Sequence, residues 1–83
     1  MFYMYILRSI PAGRYYIGTT NDLRRRVSQH NAGGTSSTKS FRPWVLVYSE
    51  SFDTLSAARQ RERQIKAWKS PAYMEKTLGL VNL

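Results

Sequence analysis

Eighty-three residues give room for one hydrophobic core, because a chain of this size buries only ~60% of the surface it exposes when unfolded, and we read residues 1–83 as a single domain. Thirteen Lys and Arg against five Asp and Glu leave a net charge of +8; nine of the thirteen are Arg, whose planar fork fits phosphate in a bidentate way, so the surface is set to attract polyanions. With no Cys and a single His, the composition excludes a disulfide framework, a thiolate zinc site and a multi-histidine metal centre, and it favours a reducing, cytoplasmic setting.

In chain order, residues 2 to 8 are aromatic or branched on both alternate sets, Phe2, Met4 and Ile6 against Tyr3, Tyr5 and Leu7. This is the pattern of a strand covered on both faces, and it predicts the central strand of a sheet. The stretch has no basic leader before it, is broken by Arg8 and is too short to span a bilayer, so it reads as neither signal peptide nor membrane anchor. Pro11-Ala12-Gly13 has turn chemistry, and Arg14 to Gly18 reads as a second strand antiparallel to the first. Thr20-Asn21 are N-cap types, and Asp22 opens a basic helix expected to stop near Asn31, before Gly33-Gly34. Asn31 to Ser40, rich in Gly, Ser and Thr, reads as a loop. Residues 44 to 48 form a third strand; Asp53 or Thr54 caps a longer helix through Lys69; Ser70-Pro71 starts a last helix that ends near Gly79. The order ββαβαα predicts an α+β domain with a small three-stranded antiparallel or mixed sheet flanked by helices.

The informative residues are polar ones placed where the pattern asks for apolar ones. On the first helix, Leu23, Val27 and His30 form a stripe, Arg26 falls at its edge beside His30, and Arg25 points away. Arg26 then has two readings: a guanidinium held inward toward a partner, or a buried stem with its head snorkelling out. His30 on its own reads as a cation near the helix C-terminal dipole. On the longer helix, Leu55, Ala58, Ile65 and Lys69 mark an inward seam whose missing member is Glu62. A carboxylate turned inward needs compensation from a cation or a metal. Either it pairs with Arg59 or Lys66 along the helix, or it offers one hard oxygen to a Mg²⁺ that keeps most of its waters.

The hairpin has two registers. A two-residue turn at Pro11-Ala12 sets Tyr5 opposite Gly18 and Leu7 opposite Tyr16, with both tyrosines on one face; a three-residue loop sends them to opposite faces. Gly18 is either a strand end or a point of close approach. Tyr3, Tyr15, Tyr48, Trp44 and Trp68 read as packing residues.

Taken together, the segments Tyr3-Met4-Tyr5-Ile6-Leu7, Tyr16-Ile17-Gly18 and Asn21 to Arg26 with His30 four residues on resemble the GIY-YIG nuclease superfamily. So do Arg42-Pro43-Trp44, Leu46-Val47-Tyr48 and Ala58 to Lys66. Within it, the chain looks like the small stand-alone proteins similar to the N-terminal incision domain of the bacterial excision-repair nuclease. The chain departs from the pattern where Tyr3 and Met4 replace the first motif's glycine and isoleucine. The resemblance implies a metal-dependent DNA endonuclease, structure-selective or weakly sequence-specific, in repair or processing. It assigns Tyr5, Tyr16, Arg26 and His30 to catalysis, Glu62 to Mg²⁺ or Mn²⁺, Gly18 to the structural motif, and offers Asn82 as a late asparagine. Tyr5 would be the general base, which asks neighbouring cations to lower its phenol.

Arg24, Lys39, Arg42, Arg59, Arg63 and Lys66 are candidate nucleic-acid contacts, for DNA with RNA left open. The alternative is a nucleic-acid-binding module that is non-catalytic, or one that depends on a protein partner for activity or specificity.

Overall fold

A computed structural model describes residues 1–80. The first strand, β1 (Phe2–Ser9), is the middle of the sheet, between β2 (Tyr15–Thr20) and β3 (Trp44–Phe52), and both pairings are antiparallel. Helix α1 spans Leu23–Asn31, α2 is a single turn at Ser36–Lys39, α3 spans Leu55–Lys66 and α4 spans Pro71–Leu78. The expected ββαβαα order is present, with α2 added between α1 and β3.

Because side chains alternate along a strand, β1 serves two cores. Met4 and Ile6 point to one face, packed with Ile65 of α3 and Met74 of α4; Tyr5 and Leu7 point to the other, packed with Trp44 and with Leu23 and Val27 of α1. All four β1 residues are buried, as expected of a strand covered on both sides.

Tyr5 lies opposite Gly18 and Leu7 opposite Tyr16, which is the register that sets both tyrosines on one face. The turn that produces it is longer than a two-residue loop. Ser9 and Arg14 close it: the Ser9 N–H donates to the Arg14 carbonyl at 2.8 Å and the Gly13 N–H to the Ser9 carbonyl at 2.8 Å, with Gly13 at φ +67°. The buried Ser9 hydroxyl accepts from the Ala12 N–H and donates to the Phe41 carbonyl at 2.6 Å, so the turn is tied to the segment before β3. On the other side of β1 a bulge changes the register: Ile6 pairs with Tyr48 but Leu7 with Leu46.

Helix ends follow their caps. Asp22, rather than Thr20 or Asn21, is the N-cap of α1, its side chain accepting from the Arg25 N–H at 3.0 Å. Thr54 caps α3 and Ser70 caps α4, and Gly79 closes α4 in the left-handed conformation. α3 stops at Lys66, one turn short of the expected Lys69; Lys69 is exposed at φ +55° and is not part of the inward seam. β2 and β3 each run past their expected ends, to Thr20 and Phe52. The Tyr15 hydroxyl donates to Glu75, joining β2 to α4, and burial together with that carboxylate pushes the Tyr15 phenol up to about 12.

Candidate active site

Tyr5 sits in the middle of the central strand, and its ring passes over Gly18 of β2. A Cβ added at Gly18 would stand 2.7 Å from the Tyr5 hydroxyl and 3.1 Å from the Tyr16 ring. Gly18 is therefore the space through which Tyr5 reaches its partners, in mid-strand and not at a strand end. Tyr16 follows on the same face, its ring centroid 6.3 Å from that of Tyr5.

α1 brings the next two residues to that hydroxyl. Arg26 Nε donates to Tyr5 Oη at 3.3 Å, while its Nη1 donates to Gln29 Oε1 at 3.1 Å. Of the two readings of Arg26, the inward one describes it: the guanidinium is half-buried with a phenol as partner. The Tyr5 hydrogen bond strengthens its hold on its proton, against a smaller opposing effect of burial, and it stays cationic.

His30, one turn further along α1, is fully buried, its Nε2 2.9 Å from Tyr5 Oη and its ring 4.7 Å from that of Tyr16. Its other nitrogen, Nδ1, lies 2.9 Å from Thr38 Oγ1 on α2. Burial first, and the Arg26 charge second, lower the His30 pKa. His30 is thus a neutral imidazole at pH 7 and not a helix-end cation, because burial and the Arg26 charge both disfavour its protonated form.

Tyr5 also differs from expectation. Burial raises its phenol pKa; the Arg26 hydrogen bond and charge oppose this, and Tyr16 and Glu62 add to the rise. A neighbouring cation lowers a phenol only if its pull exceeds desolvation, and at 3.3 Å to one nitrogen Arg26 does not achieve that. Tyr5 is accordingly a protonated phenol with one strong donor and one imidazole beside it.

Glu62 approaches from the α3 layer. Its side chain is 19% exposed and paired with Lys66 one helical turn on, the simpler of its two readings. Its charge is the last and smallest of the influences that raise the Tyr5 phenol. Among the described residues no group of three or more His, Cys, Asp or Glu comes together. A single carboxylate fits Mg²⁺ or Mn²⁺ carried largely by water, and it does not fit a closed zinc cage.

The cations divide. Arg24, Arg59 and Arg63 are exposed, as is Lys39. Lys66, expected to contact nucleic acid, is engaged with Glu62. Arg42 is turned onto its own loop, Nε donating to the Lys39 carbonyl at 2.8 Å. Arg61, between Arg59 and Arg63, grips Glu50 instead of facing outward. Asn82 lies outside the described residues. Sequence reasoning missed Thr38, because a Thr in a Gly, Ser and Thr run looks like loop; the one available signal was Thr35 three residues ahead of it, an N-cap type starting a turn.

The GIY-YIG catalytic domain family matches residues 1–76. The chain belongs to the GIY-YIG family. Small relatives share its sequence: a UPF0213 protein of Halobacterium salinarum is 43% identical over 67 residues, covering 80% of this chain and 86% of that protein. A UPF0213 protein of Bacillus pumilus is 40% identical over 77 residues, covering 88% and 78%. The solution NMR structure of a UPF0213 protein from Bacillus halodurans superposes with a TM-score of 0.58 at 31% identity, over 95% of this chain and 84% of that one. This GIY-YIG domain is of nuclease type, and DNA is the partner class of its family.

Proposed function

We propose that the protein is a metal-dependent endonuclease that hydrolyses DNA phosphodiester bonds, with Tyr5, Tyr16, Arg26 and His30 as its catalytic residues and Glu62 as its metal ligand. The observation that carries this reading is the Tyr5 hydroxyl, held between a guanidinium and a buried neutral imidazole. That node contains what hydrolysis asks of a protein: a proton acceptor for water and a fixed cation for the phosphate.

In this mechanism Tyr5 does not act as a standing phenolate. It takes a proton from the attacking water as it gives its own to His30 Nε2, so the proton count at the phenol is unchanged. The water oxygen bonds to phosphorus, the bond to the 3′ oxygen breaks, and the scissile phosphate lies against Arg26. Bound phosphate also offsets the Arg26 charge, which removes one cause of the low basicity of His30. Tyr16, packed beside His30, orients water or phosphate through its hydroxyl. Glu62 would hold Mg²⁺ or Mn²⁺, which when bound supplies positive charge for the departing oxygen.

Exposed Arg24, Lys39, Arg59 and Arg63 would track the phosphate backbone with little sequence preference, leaving DNA structure or a protein partner to set specificity. Repair or processing in the cytoplasm is the setting this implies.

The test is a cleavage panel over hairpin, flap, branched and single-stranded DNA with Mg²⁺ or Mn²⁺, comparing wild type with Arg26→Ala and Glu62→Gln. Nicking by the wild type that falls ~10²–10³-fold in Arg26→Ala is expected. No nicking of any substrate, or equal nicking by Glu62→Gln, overturns the reading. The Glu62–Lys66 pair favours a second reading, a binding module whose carboxylate needs no metal. Binding unaffected by Glu62→Gln, with no cleavage in either metal, is its signature.

A further inference from the structure

We propose that Thr38 is a positioning residue that sets the direction of the proton path, by fixing His30 in the tautomer whose bare Nε2 faces Tyr5. This rests on the proposed route from Tyr5 to His30 and adds to it the group that orients the imidazole.

Protons can be counted along one chain of hydrogen bonds. The Thr38 hydroxyl lies 3.2 Å from the Thr35 carbonyl, which can only accept. A hydroxyl has one proton, so with that proton given to Thr35 the Thr38 oxygen is an acceptor toward His30 Nδ1 at 2.9 Å. His30 is neutral in its buried setting, so a proton on Nδ1 leaves Nε2 with a lone pair. That lone pair, 2.9 Å from Tyr5 Oη, accepts the Tyr5 proton. Arg26 Nε, which has only a proton to offer, occupies an acceptor site of the same oxygen. The polarity then runs one way, from Arg26 to Tyr5 to His30 and from His30 to Thr38 to Thr35. The reverse tautomer would put a proton on Nε2, and Tyr5 would have nothing to give its proton to.

The surroundings hold Thr38 for this task. It is 1% exposed, on a helix of a single turn. Its N–H donates to the Thr35 carbonyl at 3.1 Å, and its own carbonyl accepts from Trp44 Nε1 at 2.8 Å. Asn31 in turn clamps the Trp44 backbone, accepting from its N–H at 2.7 Å and donating to its carbonyl at 3.0 Å. A four-residue helix in a polar segment is thereby fixed to the core on which Tyr5 rests. Packing alone asks for no hydroxyl at this point, because an apolar side chain fills a buried site as well.

The test is the tautomer of His30, read from long-range proton–nitrogen correlation spectra of the full chain, which separate a protonated ring nitrogen from a bare one. Wild type and Thr38→Ser are expected to carry the proton on Nδ1. Thr38→Val, of nearly the same shape, removes the acceptor and is expected to move the proton to Nε2. On a cleaved substrate Thr38→Val is expected to lose ~10–100-fold in kcat with KM unchanged, and Thr38→Ser to restore it. A wild-type spectrum with the proton on Nε2, or a Thr38→Val spectrum identical to wild type, overturns the proposal. Should Thr38→Val not fold, the wild-type spectrum alone decides. The spectra need no substrate, so a protein that cuts nothing fails the nuclease reading and leaves this proposal standing. A reversed tautomer fails this proposal together with the Tyr5-to-His30 proton step, and leaves metal-dependent cleavage to be decided by the substrate panel.

Discussion

Gly18 and Tyr5 share a space that one methyl group would overfill. Gly18→Ala puts a Cβ within 2.7 Å of the Tyr5 hydroxyl, so either the ring shifts off Arg26 and His30 or β2 moves outward. A loss of ~1–3 kcal/mol in urea melts is expected from such overpacking, and a loss of cleavage larger than the stability change explains. His30 gives a pH dependence with a definite sign. Its folded pKa is lowered by burial and by Arg26, with Tyr5 and Tyr16 as its other titratable neighbours. Between that value and the unfolded one near ~6.5 the unfolded chain binds more protons, so His30 contributes stability above ~6.5 that is lost as pH falls through the folded value. Thermal melts from pH 7 to 5 should show a decline that His30→Gln lacks; parallel curves would contradict the buried neutral imidazole. At this scale helical spacing placed Arg26 at the edge of the stripe beside His30 but left its head open between an inward partner and solvent, and the Tyr5 contact decides for the former. The sequence was not legible where the answer depended on how deeply a group is buried and what charge lies beside it. Burial against cationic pull decided the sign at Tyr5, and complete burial beside Arg26, which helical spacing does not reveal, decided the charge of His30.

Elements were most legible at ends with a chemical marker. Ser70-Pro71 and Gly79 delimit α4 as expected, since proline at the first helical position and glycine after the last one leave few alternatives. Asp22 shows how near the other markers came: it lies one residue beyond the capping pair expected and caps α1 through the Arg25 N–H. Asp22→Ala should cost about 1 kcal/mol, measured by denaturant midpoint, and should weaken the helix that carries Arg26 and His30. The end of α3 had no such marker. Its helical pattern continues to Lys69, yet the chain leaves the helix at Ala67 and holds Lys69 at φ +55°, where an L side chain crowds its own backbone. Lys69→Gly should therefore raise stability by up to ~1 kcal/mol, whereas in a helix interior the same change would lower it. α2 left no periodic trace because four residues are too few to show one, and its importance comes from its contacts and not its propensity.

For the whole molecule, a charge of +8 over 83 residues makes nucleic-acid affinity steeply salt-dependent whether or not a bond is cut. Arg59 and Arg63 are exposed on α3 while Arg61 between them is engaged with Glu50, so only the outer two are placed to meet phosphates. Removing both should flatten the dependence of log K on log salt by about 2 and weaken all duplex sequences alike. Arg61→Ala should act on stability instead, and titration by fluorescence anisotropy at several ionic strengths separates the two.

The single-residue alternation of β1 has a consequence for the living cell. Tyr5 reaches Arg26 and His30 only when the hairpin closes with Tyr5 across from Gly18, and a slip of one position would carry it into the other core and bring Met4 or Ile6 in its place. In an incompletely folded copy Tyr5, Arg26 and His30 are therefore apart. Under the proposed function, the residues assigned to catalysis come together only through the strand pairing that also makes the fold, and loose collapse around a polyanion does not assemble them.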